Sequence, residues 1–149
     1  MPIQFKLVTP ERTVLEETVD SITLPAKDGE ITVLPEHIPL VSLLTSGVIT
    51  LRTQSGERHL ASSGGWVEVL PGSRVTVFAD VAERAEELTI EAVEAAKARA
   101  EAALKEKTGT TQEEYASAVG SLERELARLK AIRRYQSHAA LHQRPFEQK

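Results

Sequence analysis

The chain has 149 residues, room for one domain or a compact domain with an appendage; 41% are apolar and only 4% aromatic, so its core must be aliphatic. With no cysteine, the chain has no disulfides, thiolate zinc sites or cysteine nucleophiles, and a reducing compartment fits. The net charge of −4 is uneven: residues 1–86 carry 7 Lys and Arg against 12 Asp and Glu, residues 87–149 carry 11 against 10.

In chain order, Gln4 and Lys6 alternate with Phe5 and Leu7, predicting a first strand. Gly29 then feeds a short apolar strand, Ile31 to Leu34, after which Pro35 and Pro39 bracket Glu36, His37 and Ile38. Proline fixes φ and donates no hydrogen bond, so this segment is predicted to be a rigid, non-helical corner. Because Ile38, Leu40, Val41, Leu43 and Leu44 follow at once, the corner is expected to be pinned against a core, with Glu30, Glu36 and His37 as exposed polar tips. A shaped rim without a nucleophile or ligand cluster points to docking rather than catalysis.

Val48 to Leu51 predicts another strand, Ser55-Gly56 a hairpin turn and Arg58 to Ala61 the returning strand. Ser62-Ser63-Gly64-Gly65 lacks the lysine and helix start of a phosphate loop and reads as a tight sheet crossing. Gly65 to Leu70, the turn dipeptide Pro71-Gly72 and Val75 to Ala79 complete the pattern, and Asp80 is placed to cap the linker beyond. Short β-rich runs punctuated by Gly and Pro predict an antiparallel sandwich of about ten strands over residues 1–85.

After residue 85 alanine replaces glycine. Val93, Ala96, Ala100 and Ala103 fall on one helical face. Gly109 breaks this pattern just after Lys105 and Lys107, cations that complement a helix C-terminus. Thr111 and Glu114 make a capping box for a second helix, whose apolar stripe is predicted to be Tyr115, Val119, Leu122, Leu126, Leu129 and Ile132. The two helices, residues 86–137, read as an antiparallel hairpin, and residues 138–149 read as a frayed tail. A seam of methyl groups buries little area at roughly 25 cal/mol per Å², and short helices are marginal in water without tertiary packing. The arm is therefore expected to open or leave its base at modest cost.

No Ser/His/Asp, paired-carboxylate or metal constellation stands out, so no catalytic residue, metal or cofactor is expected. His138 and His142 have i, i+4 ligand spacing, but a solvated terminus is the plainer reading. Trp66 suits a core or an interface equally by residue type. Arg124, Arg128, Lys130, Arg133 and Arg134 face a single acid, Glu125, within eleven positions, which suggests an acidic partner surface. Nucleic acid is disfavoured, because no stacking aromatics are interleaved with the cations. Residues 1–20 show no signal peptide, and no run approaches 18 apolar residues, so a spanning helix is not expected.

Three segments resemble the ε subunit of F-type ATP synthases of bacteria and chloroplasts (the δ subunit of mitochondria). GEITVLPEHIPL at 29–40 is similar to that family's Gly-Glu, strand, Pro-x-His-x-Pro-Leu block. SGGWVEVLPG at 63–72 resembles its Ser-Gly-Gly block, and VTVFADVAERAEEL at 75–88 resembles the strand leading into its helices. Order and spacing match over nearly the whole chain, weakening after about residue 136.

The resemblance implies a rotor subunit, not an enzyme: a β-sandwich head bound to the γ subunit and the c-subunit ring, with Glu30, Glu36 and His37 at the docking end. It implies a helical arm that folds on the head or extends toward the α and β subunits to inhibit ATP hydrolysis, with Arg124, Arg128, Lys130, Arg133 and Arg134 as its contacts. It also implies a peripheral position on the cytoplasmic face of a bacterial inner membrane. Some relatives bind ATP through an Ile/Leu-Asp-x-x-Arg-Ala motif; here Thr89 stands for the Asp and Ala92 for the Arg. Nucleotide binding is therefore expected to be weak or absent. A different class of reading, a free-standing sandwich that binds a ligand and oligomerises through its arm, would need an aromatic-lined pocket that this composition hardly supplies.

Overall fold

The computed structural model describes residues 2–106 and 111–143. Its ten strands form two five-stranded sheets. In the first, β2 (Thr13–Val19), β1 (Ile3–Val8), β9 (Arg74–Phe78), β8 (Trp66–Leu70) and β5 (Leu40–Leu43) lie side by side in that order. The second runs β10 (Val81–Arg84), β7 (Gly56–Ser63), β6 (Gly47–Thr53), β3 (Ser21–Ala26) and β4 (Gly29–Val33). Strand pairing is antiparallel except between β1 and β9, which run parallel.

Alternation decides which side chains meet. Ile3, Phe5 and Leu7 point between the sheets, where Ile22, Leu24, Ile49, Leu51, Leu60, Val67, Val75 and Val77 join them in the aliphatic core that the composition required. β7 belongs to one sheet and β8 to the other, and the crossing is made at Gly64 and Gly65. Gly65 has φ +96°, and a Cβ there would overlap the carbonyl of Phe78, so only glycine fits.

The second sheet is covered on both faces. After the single 3₁₀ turn Ala85–Glu87 come α1 (Ile90–Glu106) and α2 (Gln112–Gln143), and α2 lies across the outer face of β7 and β6. Ala131 is fully buried there against Val48, Ala61 and Ala85. This double cover explains why Gly47–Leu51 of β6 is buried without alternation, and Ser21–Ala26 of β3 is likewise buried throughout.

The arm is an antiparallel pair seamed on small residues. Val93, Leu129 and Ile132 form its cluster, with Leu88 and Ile90 packed alongside. Thr111 Oγ1 accepts the backbone N–H of Glu114 at 3.3 Å, the cap expected at the start of α2. Gly109 and Lys107 lie outside the described residues. Two expectations change. The predicted stripe on α2 is only partly buried: Leu129 and Ile132 are inside, but Tyr115 is 55% and Leu126 45% exposed. α2 serves two neighbours, so its buried positions split between the α1 side (Ala118, Glu125, Leu129, Ile132) and the sheet side (Ala127, Ala131). Nor does fraying begin at His138, because α2 continues to Gln143 and His138 meets β7. The partners that hold it are polar, which is why no apolar stripe announced them.

Candidate docking surfaces

The proline-bracketed segment is less pinned than its sequence implied. Leu44 is buried and Leu40 half-buried, but Ile38 is 75%, Val41 68% and Leu43 63% exposed. The reason is the strand that follows: in β5, Leu40 and Ser42 face inward while Val41 and Leu43 face out. Register places Leu43 beside Trp66 and Trp66 beside Phe78, and the two rings stack at 5.0 Å. The outer face of the first sheet thus ends in an uncovered apolar strip, a feature typical of a docking surface.

The corner itself is held by its backbone. Glu36 has φ +63° and Ser73 φ +56°, and Glu36 N–H donates to Ser73 Oγ at 2.9 Å. His37 is half-buried rather than fully exposed, its Nδ1 2.7 Å from the Ile38 carbonyl. Glu30 has a different neighbourhood. Its carboxylate accepts from Arg134 Nη2 at 3.0 Å and lies 3.7 Å from Lys130 Nζ, so it faces the arm. The hydrogen bond from Arg134 holds the Glu30 carboxyl below its ordinary value, against a smaller upward push from burial.

The five cations of α2 are also separated. Arg128 forms ion pairs with Glu83 of β10 and with Glu125, and Lys130 and Arg134 share Glu30. Arg124 is half-buried beside Ser62, Ser63 and Glu83, and Arg133 is exposed. Three of the five therefore neutralise carboxylates of the head.

Beneath α2 lies a polar patch that no linear motif revealed. Alternation puts Val48, Thr50 and Arg52 on one face of β6, and register sets Ala61, His59 and Glu57 opposite them. Positions 131, 134 and 138, at helical spacing, lie over this ladder. Ala131 covers Val48 and Ala61, Arg134 reaches Thr50 Oγ1 at 3.5 Å, and His138 accepts the Glu57 backbone N–H at 3.4 Å. A cleft of about 460 Å³ opens between Glu30, Arg52, Glu57, His59, Arg133 and His138. The side chain of His142 lies outside the described ones, and no group of three metal-ligating side chains occurs among the described residues.

The stretch matching the nucleotide motif lines a shallow groove with Glu83, Glu87, Thr89, Ala92, Glu125 and Arg128. Three carboxylates surround its one cation, and that cation is already paired with two of them.

Residues 2–85 match the model of the ATP synthase delta/epsilon chain β-sandwich domain, and residues 82–133 match the long α-helix domain of the same chain. The chain belongs to the ATP synthase delta/epsilon family. It is 42% identical over 131 residues to the ATP synthase epsilon chain of Chloroflexus aggregans, covering 87% of this chain and 91% of that one. With the epsilon chain of Herpetosiphon aurantiacus the identity is 40% over 133 residues, covering 89% and 96%. The fold is similar to a chain of the Euglena gracilis mitochondrial ATP synthase structure (OSCP/F1/c-ring), with a TM-score of 0.71, 24% identity and coverage of 95% of this chain and 82% of that one. A chain of the Tetrahymena thermophila central stalk and c-ring gives 0.61 at 15% identity, covering 89% and 97%. A delta/epsilon sandwich followed by two helices is the architecture described above. No described helix is long and apolar enough to cross a membrane.

Proposed function

We propose that this chain is a non-catalytic central-stalk subunit of a proton-translocating ATP synthase, with a head that docks on the γ subunit and the c-ring and an arm that restrains ATP hydrolysis. The observation that carries this reading is the division of labour between the two faces of the head. One face keeps an apolar strip uncovered at Val41, Leu43 and Trp66, whereas the other is occupied by the arm. A permanent partner suits the apolar strip, and Glu36 and His37, presented by a conformationally fixed corner, suit the polar rim of the same interface.

The arm suits a reversible role. Arg128, Lys130 and Arg134 are matched by Glu83 and Glu30 on the head, largely at the surface, where ion pairs contribute little. The same cations, with Arg124 and Arg133, would meet an acidic surface of the α and β subunits when the arm extends. The subunit would then be peripheral, held at the cytoplasmic face of a bacterial membrane only through the complex.

Association with the cognate γ subunit tests the head. The full chain should co-purify with γ, and Val41→Asp with Leu43→Asp should weaken that association while the chain remains folded; failure of the parent chain to bind γ would sink the reading. For the arm, deleting residues 88–149 should raise ATP hydrolysis by the assembled enzyme, and unchanged hydrolysis would remove the inhibitory role.

A further inference from the structure

We propose that Glu57, His59 and His138 form a proton-sensitive latch between head and arm, closed while both imidazoles are neutral and released on acidification. The proposal rests on the reading of the arm as a detachable element, and adds what governs its release.

One hydrogen bond constrains the His138 ring in the closed form. A backbone N–H can only donate, so the Glu57 N–H requires a lone pair on His138 Nε2, and an imidazolium has none. Arg134 donates to Thr50 Oγ1 at 3.5 Å, and the same hydroxyl lies 3.3 Å from His59 Nδ1, which it can serve as donor or acceptor. His59 Nε2 lies 3.5 Å from Glu57 Oε2 without hydrogen-bond geometry, and His138 Nδ1 lies 3.9 Å from the same oxygen. His138 thus accepts a hydrogen bond from the head, and both rings converge on one carboxylate.

Charging the rings would leave that carboxylate outnumbered. The imidazole centroids are 6.2 Å apart, and His59 is buried. On the arm, Lys130, Arg133 and Arg134 line the same cleft; on the head, Arg52 of β6 lies opposite. The acids facing it are Glu57, already paired with Arg52, and Glu30 of β4, already paired with Arg134 and Lys130. On the other side of His59, Arg58, Arg84 and Glu86 face it. Arg58 is matched by Glu17, and Arg84 donates to the Val14 carbonyl.

Consistent with this placement, burial pushes the His59 imidazole down; Glu57 pulls it up, but His138, Arg134 and Arg52 press it down, and it settles below its ordinary value of 6.5. The docked arm therefore binds fewer protons than the released arm. Its stability is full above about pH 6.5 and falls as the pH drops from there toward the lowered docked value.

The test uses the full chain, whose lack of cysteine allows dyes at Gln54→Cys on the head and Glu113→Cys on the arm. Energy transfer between them should report a docked arm at pH 8 and a growing released fraction at pH 5.5. The docked-to-released ratio should fall by about tenfold for each unit by which docking lowers an imidazole. With His59→Gln and His138→Gln together the ratio should become flat across this range. Equal transfer at both pH values in the parent chain, or an unchanged response in the double variant, overturns the latch. If His59→Gln, at a buried position, prevents folding, His138→Gln alone must diminish the response, and an undiminished one overturns the latch equally. Acid release without any change in ATP hydrolysis by the assembled enzyme would instead count against the inhibitory arm and leave the latch standing.

Discussion

Arg134 and Glu30, 104 positions apart, meet at 3.0 Å and tie the second helix to the edge strand of the second sheet. The pair is partly exposed, so its contribution is that of a surface ion pair, about 0.2–1 kcal/mol. Glu30→Gln should raise the released fraction of the arm by a factor of about 1.4 to 5. A double-mutant cycle with Arg134→Gln checks that this loss belongs to the pair; additivity of the two single effects would contradict it.

The same carboxylate sets a second, more acidic limit. Docking lowers the Glu30 carboxyl, chiefly through the Arg134 hydrogen bond, so its stabilisation is present above its ordinary value of 4.5 and is lost as the pH falls through the lowered one. Arm docking should therefore weaken again below about pH 4.5, in a limb that Glu30→Gln flattens while leaving the response between pH 8 and 5.5 in place. Energy transfer measured down to pH 3.5 separates the two limbs.

Gly65→Ala should destabilise the head. The substitution combines φ +96° with an overlap on the Phe78 carbonyl, which belongs to the backbone and cannot rotate away. The expected loss is about 2 kcal/mol or more, read as a lower urea midpoint. An unchanged midpoint would mean that the sheet crossing tolerates a shift.

Titration calorimetry of the isolated chain with ATP should show weak or no binding. The motif positions are Thr89 and Ala92, and Arg128 beside them is committed to Glu83 and Glu125. Micromolar affinity would overturn this. Thr89→Asp with Ala92→Arg, which restores the two motif residues, should strengthen binding if their loss is the cause.

Much of the fold was legible because turn residues and hydrophobic period report local geometry. The Ser55-Gly56 hairpin and the crossing at Ser62–Gly65 were read from the residues that such turns require. β3 was not legible: it is buried on both faces and carries Pro25, so it neither alternates nor avoids proline. Val41 and Leu43 misled for a related reason, since an apolar run suggests a core whether the outward half meets protein or solvent. The cationic run on α2 was visible, but its partners were not: Glu30 and Glu83 are distant in sequence, and only the fold brings them beneath the helix. The cluster of Thr50, Glu57, His59 and His138 left a faint trace. Alternation in the predicted strand Val48 to Leu51 put Val48 and Thr50 on one face, yet nothing linear said which helix would cover it.

The parallel pairing of β1 with β9 has a consequence for the order of assembly. The first strand to be synthesised waits for one of its two neighbours until residue 78 has been made, so the first sheet closes late and through a long loop. Both helices follow that point in the chain. The arm therefore reaches a surface whose strand pairing is already complete, so an arm that leaves, as proposed above, would not take the head's fold with it.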